Sequence, residues 1–458
     1  MRKKNLFLIL LTNIFILNIP VYAAENKSSG KIPAEKVVNS SFLTLSEAID
    51  TAVQNNYSLK LSGEKIKLAN YQITENAAQG LPQLNITASY GRQDPVNPPP
   101  PTAGLGNNPQ FASFLGTARV NTFRNQVAVN QVLFAGFRII DGVRLASINV
   151  ELANEGYRQS RQEVVLNVSS SYYNSLKAYQ LVQVNKSSLK QAQLHLEQAK
   201  KLEKAGVGIK LEVLRAANQL VNIQLQLSQA LNSYEKSKKV LNLAMGRSID
   251  YPIELNLEAK VPDVNIQNEN QIFQDALKGR SELRQLNIKK EMDEIAATIQ
   301  SRASWPMVSA NVSYNLSDTS VVSANSVNNQ NINYGINMNW PVFDGLLTYA
   351  KVQKSQNSVI QDQISIDQLQ QSIILEVKQA LLDIQEAKER ILLAKEGISL
   401  GDESLRIAKI RYENGVGISL DVIDSQISLT QAQSNLVNAE FDLNISRVKL
   451  YKAIGIDI

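Results

Sequence analysis

Two hydrophobic periods alternate along this chain, and their order occurs twice. Leu84, Ile86, Ala88 and Tyr90 are apolar, while Asn85, Thr87 and Ser89 between them are polar. A period of two predicts a strand, because successive side chains leave a strand on opposite faces. Strands are predicted at about 83–91 and 125–134, and again at about 307–316 and 332–342. In the second set Val308, Ala310, Val312 and Tyr314 alternate with Ser309, Asn311 and Ser313. Helical periodicity fills most of the rest. It covers Thr44–Gln79 with a break near Asn55-Asn56-Tyr57, then 136–204 and 211–246, then 270–304, 345–413 and 419–454. The last two carry heptads. Val352, Val359, Ile366, Ile373, Ala380, Ala387 and Ala394 fall seven apart, and a second line runs through Val377, Ile384, Ile391, Ile398 and Leu405 to Tyr412. The returning helix repeats the device with Val422, Leu429, Leu436, Leu443 and Leu450 beside Ser425, Ala432, Ala439, Ser446 and Ala453. Sustained heptads predict knobs-into-holes packing, and the small residues permit close approach. A helix over 345–413 would be roughly 100 Å long at ~1.5 Å per residue, too long for a compact globular domain.

The punctuation repeats as well. Gly206-Val207-Gly208-Ile209-Lys210-Leu211-Glu212-Val213-Leu214 recurs at 415–423 with six of nine residues identical, 209 positions later. Leu81-Pro82 is matched by Trp305-Pro306, and Phe134-Ala135-Gly136 by Phe343-Asp344-Gly345. The offset is 224 before the strand loops and 209 after them, so one length change sits in the first loop. The reading is a tandem duplication, with a first repeat at 24–262, ending in a connector at 247–262, and a second at 263–458. Each glycine pair is predicted to end one long helix in a sharp turn, since Gly enters the left-handed region at little cost. Ser419 is then placed to cap the next helix, with Asp421 and Asp424 in its first turn on one face. By themselves these acids could be no more than helix N-terminal residues favoured by the helix dipole.

Composition narrows the setting. Met1-Arg2-Lys3-Lys4, an apolar run from Leu6 to Ile19 and Val21-Tyr22-Ala23 read as a signal peptide, 1–23, with the mature chain starting at Ala24. Its removal lowers the formal charge from +5 to +2, which is no nucleic-acid-binding balance. The absence of cysteine excludes disulfides, thiolate chemistry and a lipid anchor on an N-terminal cysteine. No later segment is long and apolar enough to span a membrane as a helix.

The strands suggest another route to a membrane. Their polar positions hold Asn, Ser and Thr rather than Lys and Glu, as expected of a wall with lipid on one side and water on the other. A soluble sandwich with one wetted face is the competing reading. Four strands cannot close a barrel, and unpaired backbone groups in hydrocarbon cost several kcal/mol each. Several copies would then share one barrel, and three copies leave a passage where two would nearly fill it.

With these residues in hand the chain resembles the TolC family of outer-membrane efflux proteins. The likeness rests on Leu81-Pro82-Gln83-Leu84, on Phe134 and Phe343, on Ser171-Tyr172-Tyr173-Asn174, on both glycine turns and on the duplicated element order. It implies a mainly α fold with a membrane β-barrel. In it long antiparallel coiled-coil helices form a periplasmic α-barrel, and four strands per chain join a shared twelve-strand barrel of a homotrimer. It also implies a mixed α/β belt built from 247–268 and the chain ends. Expected partners are outer-membrane lipid, a periplasmic adaptor (membrane fusion) protein and an inner-membrane pump of RND, MFS or ABC type. The resemblance places Gly206, Gly208, Gly415 and Gly417 at the periplasmic tip that docks the adaptor. It makes Asp421 and Asp424 an acidic gate and selectivity ring, and Tyr412 with Glu212 a tip latch. Gly417 stands where some members carry a basic latch residue, so a Tyr412–Glu212 hydrogen bond would have to hold the tip shut. The proline-rich loop 92–109 would be extracellular.

No catalysis is expected. His195 is the only histidine, read as a surface or packing residue, so a histidine-built metal site is unavailable. No phosphate-cradling glycine loop precedes a lysine, and Cys/His nucleophile pairs are impossible. Glu386 and Glu389 read as charges on a solvated helix face. No cofactor is expected. The predicted function is an exit duct for small molecules. The alternatives are the duct of a type I protein secretion system or, in another class, a periplasmic coiled-coil spacer without a pore.

Overall fold

The computed structural model describes residues 42–94, 120–257, 269–321 and 327–456. The expected signal peptide, most of the proline-rich loop and the 258–268 part of the connector lie outside the described residues. The elements are α1 (Leu45–Asn55), α2 (Tyr57–Ala78), β1 (Gln83–Gln93), β2 (Val120–Phe134), α3 (Arg138–Lys204) and α4 (Lys210–Ala244). They are followed by α5 (Glu269–Gly279), α6 (Ser281–Ser301), β3 (Met307–Val321), β4 (Val327–Asn339), α7 (Leu347–Glu413) and α8 (Ser419–Ile454).

The four strands form one antiparallel sheet in the order β1-β2-β3-β4. Its register sorts the alternation into faces. Ile86 pairs with Val127, Val127 with Tyr314 and Tyr314 with Ile332, an apolar row. The adjacent row, Thr87, Gln126, Asn315 and Asn331, is entirely polar. Because side chains alternate across a strand, these rows point to opposite sides. Neither face is covered by the chain: Ile86, Tyr334 and Ile336 are 75%, 71% and 74% exposed.

Several strands outrun their expected ends. β2 begins at Val120 and β3 reaches Val321, although Ser317, Asp318 and Thr319 break the alternation. The backbone ladder continues there without an apolar pattern to mark it, since N–H and C=O groups pair whatever the side chains are. β4 lies at Val327–Asn339 instead of 332–342, ending just before Trp340-Pro341, and the Trp340 indole N–H donates to Ser304 O at 3.1 Å. The helices that follow the sheet start two residues late, at Arg138 and Leu347. The strand-to-helix joins use consecutive left-handed residues, Gly136-Phe137 and Gly345-Leu346. At Gly136 a Cβ would lie 2.8 Å from Trp305 Cβ, so the aromatic side chain occupies the space that glycine leaves.

The helical region is built by sequence-adjacent hairpins and one seam between them. α3 packs along α4, and α7 along α8, while α8 also lies against α3. Nearer the sheet α2 and α6 flank α3, and α6 also touches α7. The heptad lines point inward: Ile366, Ile373, Val377, Ala380, Ile384, Ala387 and Ala394 are all buried. Small residues set the spacing. A Cβ on Gly401 would stand 3.1 Å from Leu429 Cα, so α7 and α8 meet there backbone to backbone.

The main core gathers Tyr172, Tyr173 and Leu176 of α3, Ala48 and Ala52 of α1, Leu241 of α4, Met245 and Val448 of α8. Beside it Leu43 forms a parallel bridge to Leu255, tying the start of the described chain to the connector. The Tyr172 hydroxyl, 2.9 Å from both Leu43 O and Asn256 O, donates into this bridge. Burial pushes its pKa up to about 12, so it stays a donor throughout the physiological range. Tyr172→Phe should therefore lower the stability of this region by about 1–2 kcal/mol. Urea unfolding followed by helical circular dichroism measures that loss.

Candidate functional site

The two glycine turns are built alike. At the end of α3, Gly206 is left-handed at φ 77°, its N–H donates to Glu203 O at 3.0 Å, and Val207 N–H donates to Leu202 O at 3.1 Å. At the end of α7, Gly415 has φ 74°, with Gly415 N–H to Tyr412 O at 3.1 Å and Val416 N–H to Arg411 O at 3.0 Å. This double bond is the Schellman closure, which satisfies carbonyls the helix leaves unpaired. The second glycine of each pair serves another purpose. A Cβ on Gly208 would lie 2.9 Å from Glu203 N, and one on Gly417 would lie 3.0 Å from Arg411 Cβ and 3.1 Å from Tyr412 N. The turn folds back tightly on the helix it has just left.

The turns place one residue from each of the four long helices in a single cluster: His195 of α3, Glu212 of α4, Tyr412 of α7 and Ser419 of α8. Tyr412 is 3% exposed, Ser419 0% and His195 7%. The Tyr412 hydroxyl donates to Glu212 Oε2 at 3.4 Å, and Ser419 N–H approaches Glu212 Oε1 at 3.5 Å. Both are long for hydrogen bonds. The short contact is His195 Nε2 to Ser419 Oγ, at 2.8 Å. The His195 and Tyr412 rings lie 5.2 Å apart, centre to centre. Burial, with the Glu212 carboxylate next, pushes the Tyr412 phenol up to about 12. Burial, assisted by the Lys409 charge, lowers His195 to about 4, so the ring is neutral at pH 7.

Ser419 does not cap α8. Ile418 occupies the cap position without a side-chain bond, and Ser419 is the first helical residue, its hydroxyl turned to His195. The carboxylate facing the start of α8 is Glu212, which the helix dipole favours. Asp421 lies in the first turn of α8, Asp424 one turn further, and both are exposed on the single chain. Sequence reasoning missed His195 as a member of the cluster. The signal was its spacing: Ser188, Ala192, His195 and Ala199 follow a 4-3-4 rhythm, and all four are buried. Among the described residues no group of acids and histidine could hold a metal ion, and no helix is long and apolar enough to cross a membrane.

The two glycines of one turn should respond differently to the same change. Gly415→Ala meets no atom and should cost only the left-handed backbone, about 1–2 kcal/mol. Gly417→Ala should cost more, because its Cβ presses on the end of α7. Hydrogen exchange at 410–422 would rank the two, and equal protection loss would contradict the geometry.

The neutral His195 carries a pH signature. Its folded pKa lies below its unfolded value, so the unfolded chain binds a proton first and stability falls as pH drops from about 6.5 to about 4. The contribution is on the order of 3 kcal/mol at most. Exchange protection of the tip should decline over that window and should decline less in His195→Gln. Glu212 and Lys409 are the other charged neighbours.

Comparison with known proteins bears on the whole chain. The family model for the outer membrane efflux protein, OEP, matches residues 48–247 and 272–456. Outer membrane protein TolC of Vibrio cholerae serotype O1 is 19% identical over 416 residues, covering 90% of each chain. The toluene efflux pump outer membrane protein TtgC of Pseudomonas putida is 23% identical over 427 residues, covering 90% of this chain and 82% of the relative. Among solved structures, CusC superposes with a TM-score of 0.73 at 19% identity, covering 92% of this chain and 96% of that one. The Campylobacter jejuni CmeC outer membrane channel does so with a TM-score of 0.73 at 19% identity, covering 93% and 90%.

Proposed function

Because the chain belongs to the outer membrane efflux protein family, we propose that three copies form the outer-membrane exit duct of a tripartite efflux system. In this reading the duct receives small molecules from an inner-membrane pump through a periplasmic adaptor. The observation that carries it is the sheet: one apolar face, one amide- and hydroxyl-rich face, and two edges, β1 and β4, each paired on one side only. In hydrocarbon an unpaired edge is untenable, so β1 of one copy would pair with β4 of the next and close twelve strands. The apolar rows then meet lipid, and the Asn, Ser and Thr rows line a wet passage. The matching halves of the chain, with Gly246 and Gly455 both left-handed and both pressed on a break between two short helices, support an origin by tandem duplication.

The α3–α4 and α7–α8 hairpins would extend into the periplasm, with the glycine turns at the tip facing the adaptor. Asp421 and Asp424 of three chains would ring the entrance, drawing cations and repelling anions. Tyr412 and Glu212 would hold the ring narrow. The duct does no chemistry, and the pump supplies the energy.

Insertion of the purified protein into planar bilayers tests this directly. Trimer-sized, cation-preferring conductance is expected, and replacing Asp421 and Asp424 together by Ala should move the reversal potential in a salt gradient toward zero. A folded protein without conductance would remove the duct. An unchanged reversal potential in the double variant would remove only the acidic ring.

A further inference from the structure

The buried histidine has no part in the duct as drawn so far. Its surroundings give it one. Where α3 meets α8 below the main core, the seam between the two hairpins is held by polar side chains. Gln426 Nε2 donates to Ser188 O at 2.8 Å, Ser188 Oγ lies 3.0 Å from Thr430 Oγ1, and His195 Nε2 lies 2.8 Å from Ser419 Oγ. Inside the α7–α8 hairpin the buried contacts of the same stretch are apolar, with Leu405, Ala408, Val422 and Leu429 packed together and Leu202 of α3 against them, while the Ser404–Ser425 contact is exposed. Apolar packing holds a hairpin together as one body. Polar contacts across the seam fix where one body sits on the other, because hydrogen bonds have a direction and apolar contacts do not.

We propose that His195 is the gate-positioning residue of the tip. It seats the start of α8 against α3, so that Tyr412 comes within reach of Glu212 and the α8 acids are held at the entrance. The proposal rests on the gated-duct reading given above. Three observations favour it over plain packing. The His195–Ser419 contact is shorter than either contact of Glu212, and the Tyr412–Glu212 bond is too long to set the position alone. The hydroxyl of Ser419 is fully buried and is left with Tyr412 as its one other side-chain partner, so on losing His195 water cannot replace the ring nitrogen while the tip stays closed. The ring also packs on Tyr412, so one side chain of α3 touches both helices of the other hairpin.

The test compares His195→Leu, His195→Gln, Ser419→Ala and Tyr412→Phe in planar bilayers, each checked for a heat-resistant oligomer on gels. Losing the buried bond should raise the open-to-closed ratio by roughly tenfold. His195→Leu should show that rise, and His195→Gln, whose amide can still meet the hydroxyl, should stay near the parent. Ser419→Ala should match His195→Leu, and combining the two should add little, since both remove one contact. If His195→Leu does not assemble, Ser419→Ala, which removes a single oxygen, decides the matter. Parent-like gating in Ser419→Ala, or effects of the two changes that simply add, would overturn the proposal. A parent protein that conducts, with Tyr412→Phe opened and the His195 variants unchanged, leaves the duct standing and removes His195 alone. Absence of conductance in every protein removes the duct itself.

Discussion

Backbone groups at the edge of a sheet need partners, and this constraint governs the rest of the structure. The chain brings four strands into register and leaves β1 and β4 open on one side. It covers neither face. A sheet of this kind is unstable alone in water, where its apolar rows would aggregate, and unstable alone in lipid, where its edges would go unpaired. The chain belongs to the outer membrane efflux proteins, and in the proposed duct both problems have one solution, a barrel shared among copies.

The helices answer a different requirement, that of length without a thick core. Two hairpins of long helices can stay narrow only if their contacts are small and regular. Ala380, Ala387 and Ala394 on α7, Ala439 and Ala453 on α8, and Gly401 against Leu429 supply this. The thicker packing lies in two cores: one around Tyr172 and Tyr173, where α1, the end of α4 and the connector wrap the long helices, and one around Ile373 and Leu450, where α5 and α6 pack on α7 and α8. Beside the second, charged groups are also drawn in. Arg280, 5% exposed in its side chain, is held by Glu282 and Glu376, and Lys452 reaches the same Glu376. A buried guanidinium is tolerable only with such partners, since breaking a buried pair is far costlier than the pair is worth. These contacts tie the start of α6 to both helices of the α7–α8 hairpin.

At those far ends mechanics and chemistry meet. The turns are closed by paired backbone bonds and by glycines that admit the chain against the helix end. In the proposed duct what changes is the relation of one hairpin to the other. Four side chains from four helices sit at that junction, where the His195–Ser419 contact is short and both contacts of Glu212 are long. In the proposed duct a small loss of hydrogen bonding there would suffice to move the acidic residues of α8 away from the axis, without unfolding either hairpin.

The sequence by itself determined the element types and their doubled order, because periods of two and of three to four are written in which positions are apolar. It also determined both glycine turns, since only glycine suits a left-handed residue followed by a close approach, and it pointed to Tyr412 and Glu212 through the resemblance those turns carry. Ladder length was not legible: Ser317, Asp318 and Thr319 pair through the backbone, which leaves no mark on side-chain pattern. Nor was the role of Ser419, which the local rule assigned to a helix cap. Its hydroxyl instead meets His195, 224 residues away in the chain. That choice belongs to tertiary structure, because a buried hydroxyl bonds to whatever partner packing delivers. The partner comes from another helix, which no local pattern around residue 419 could name.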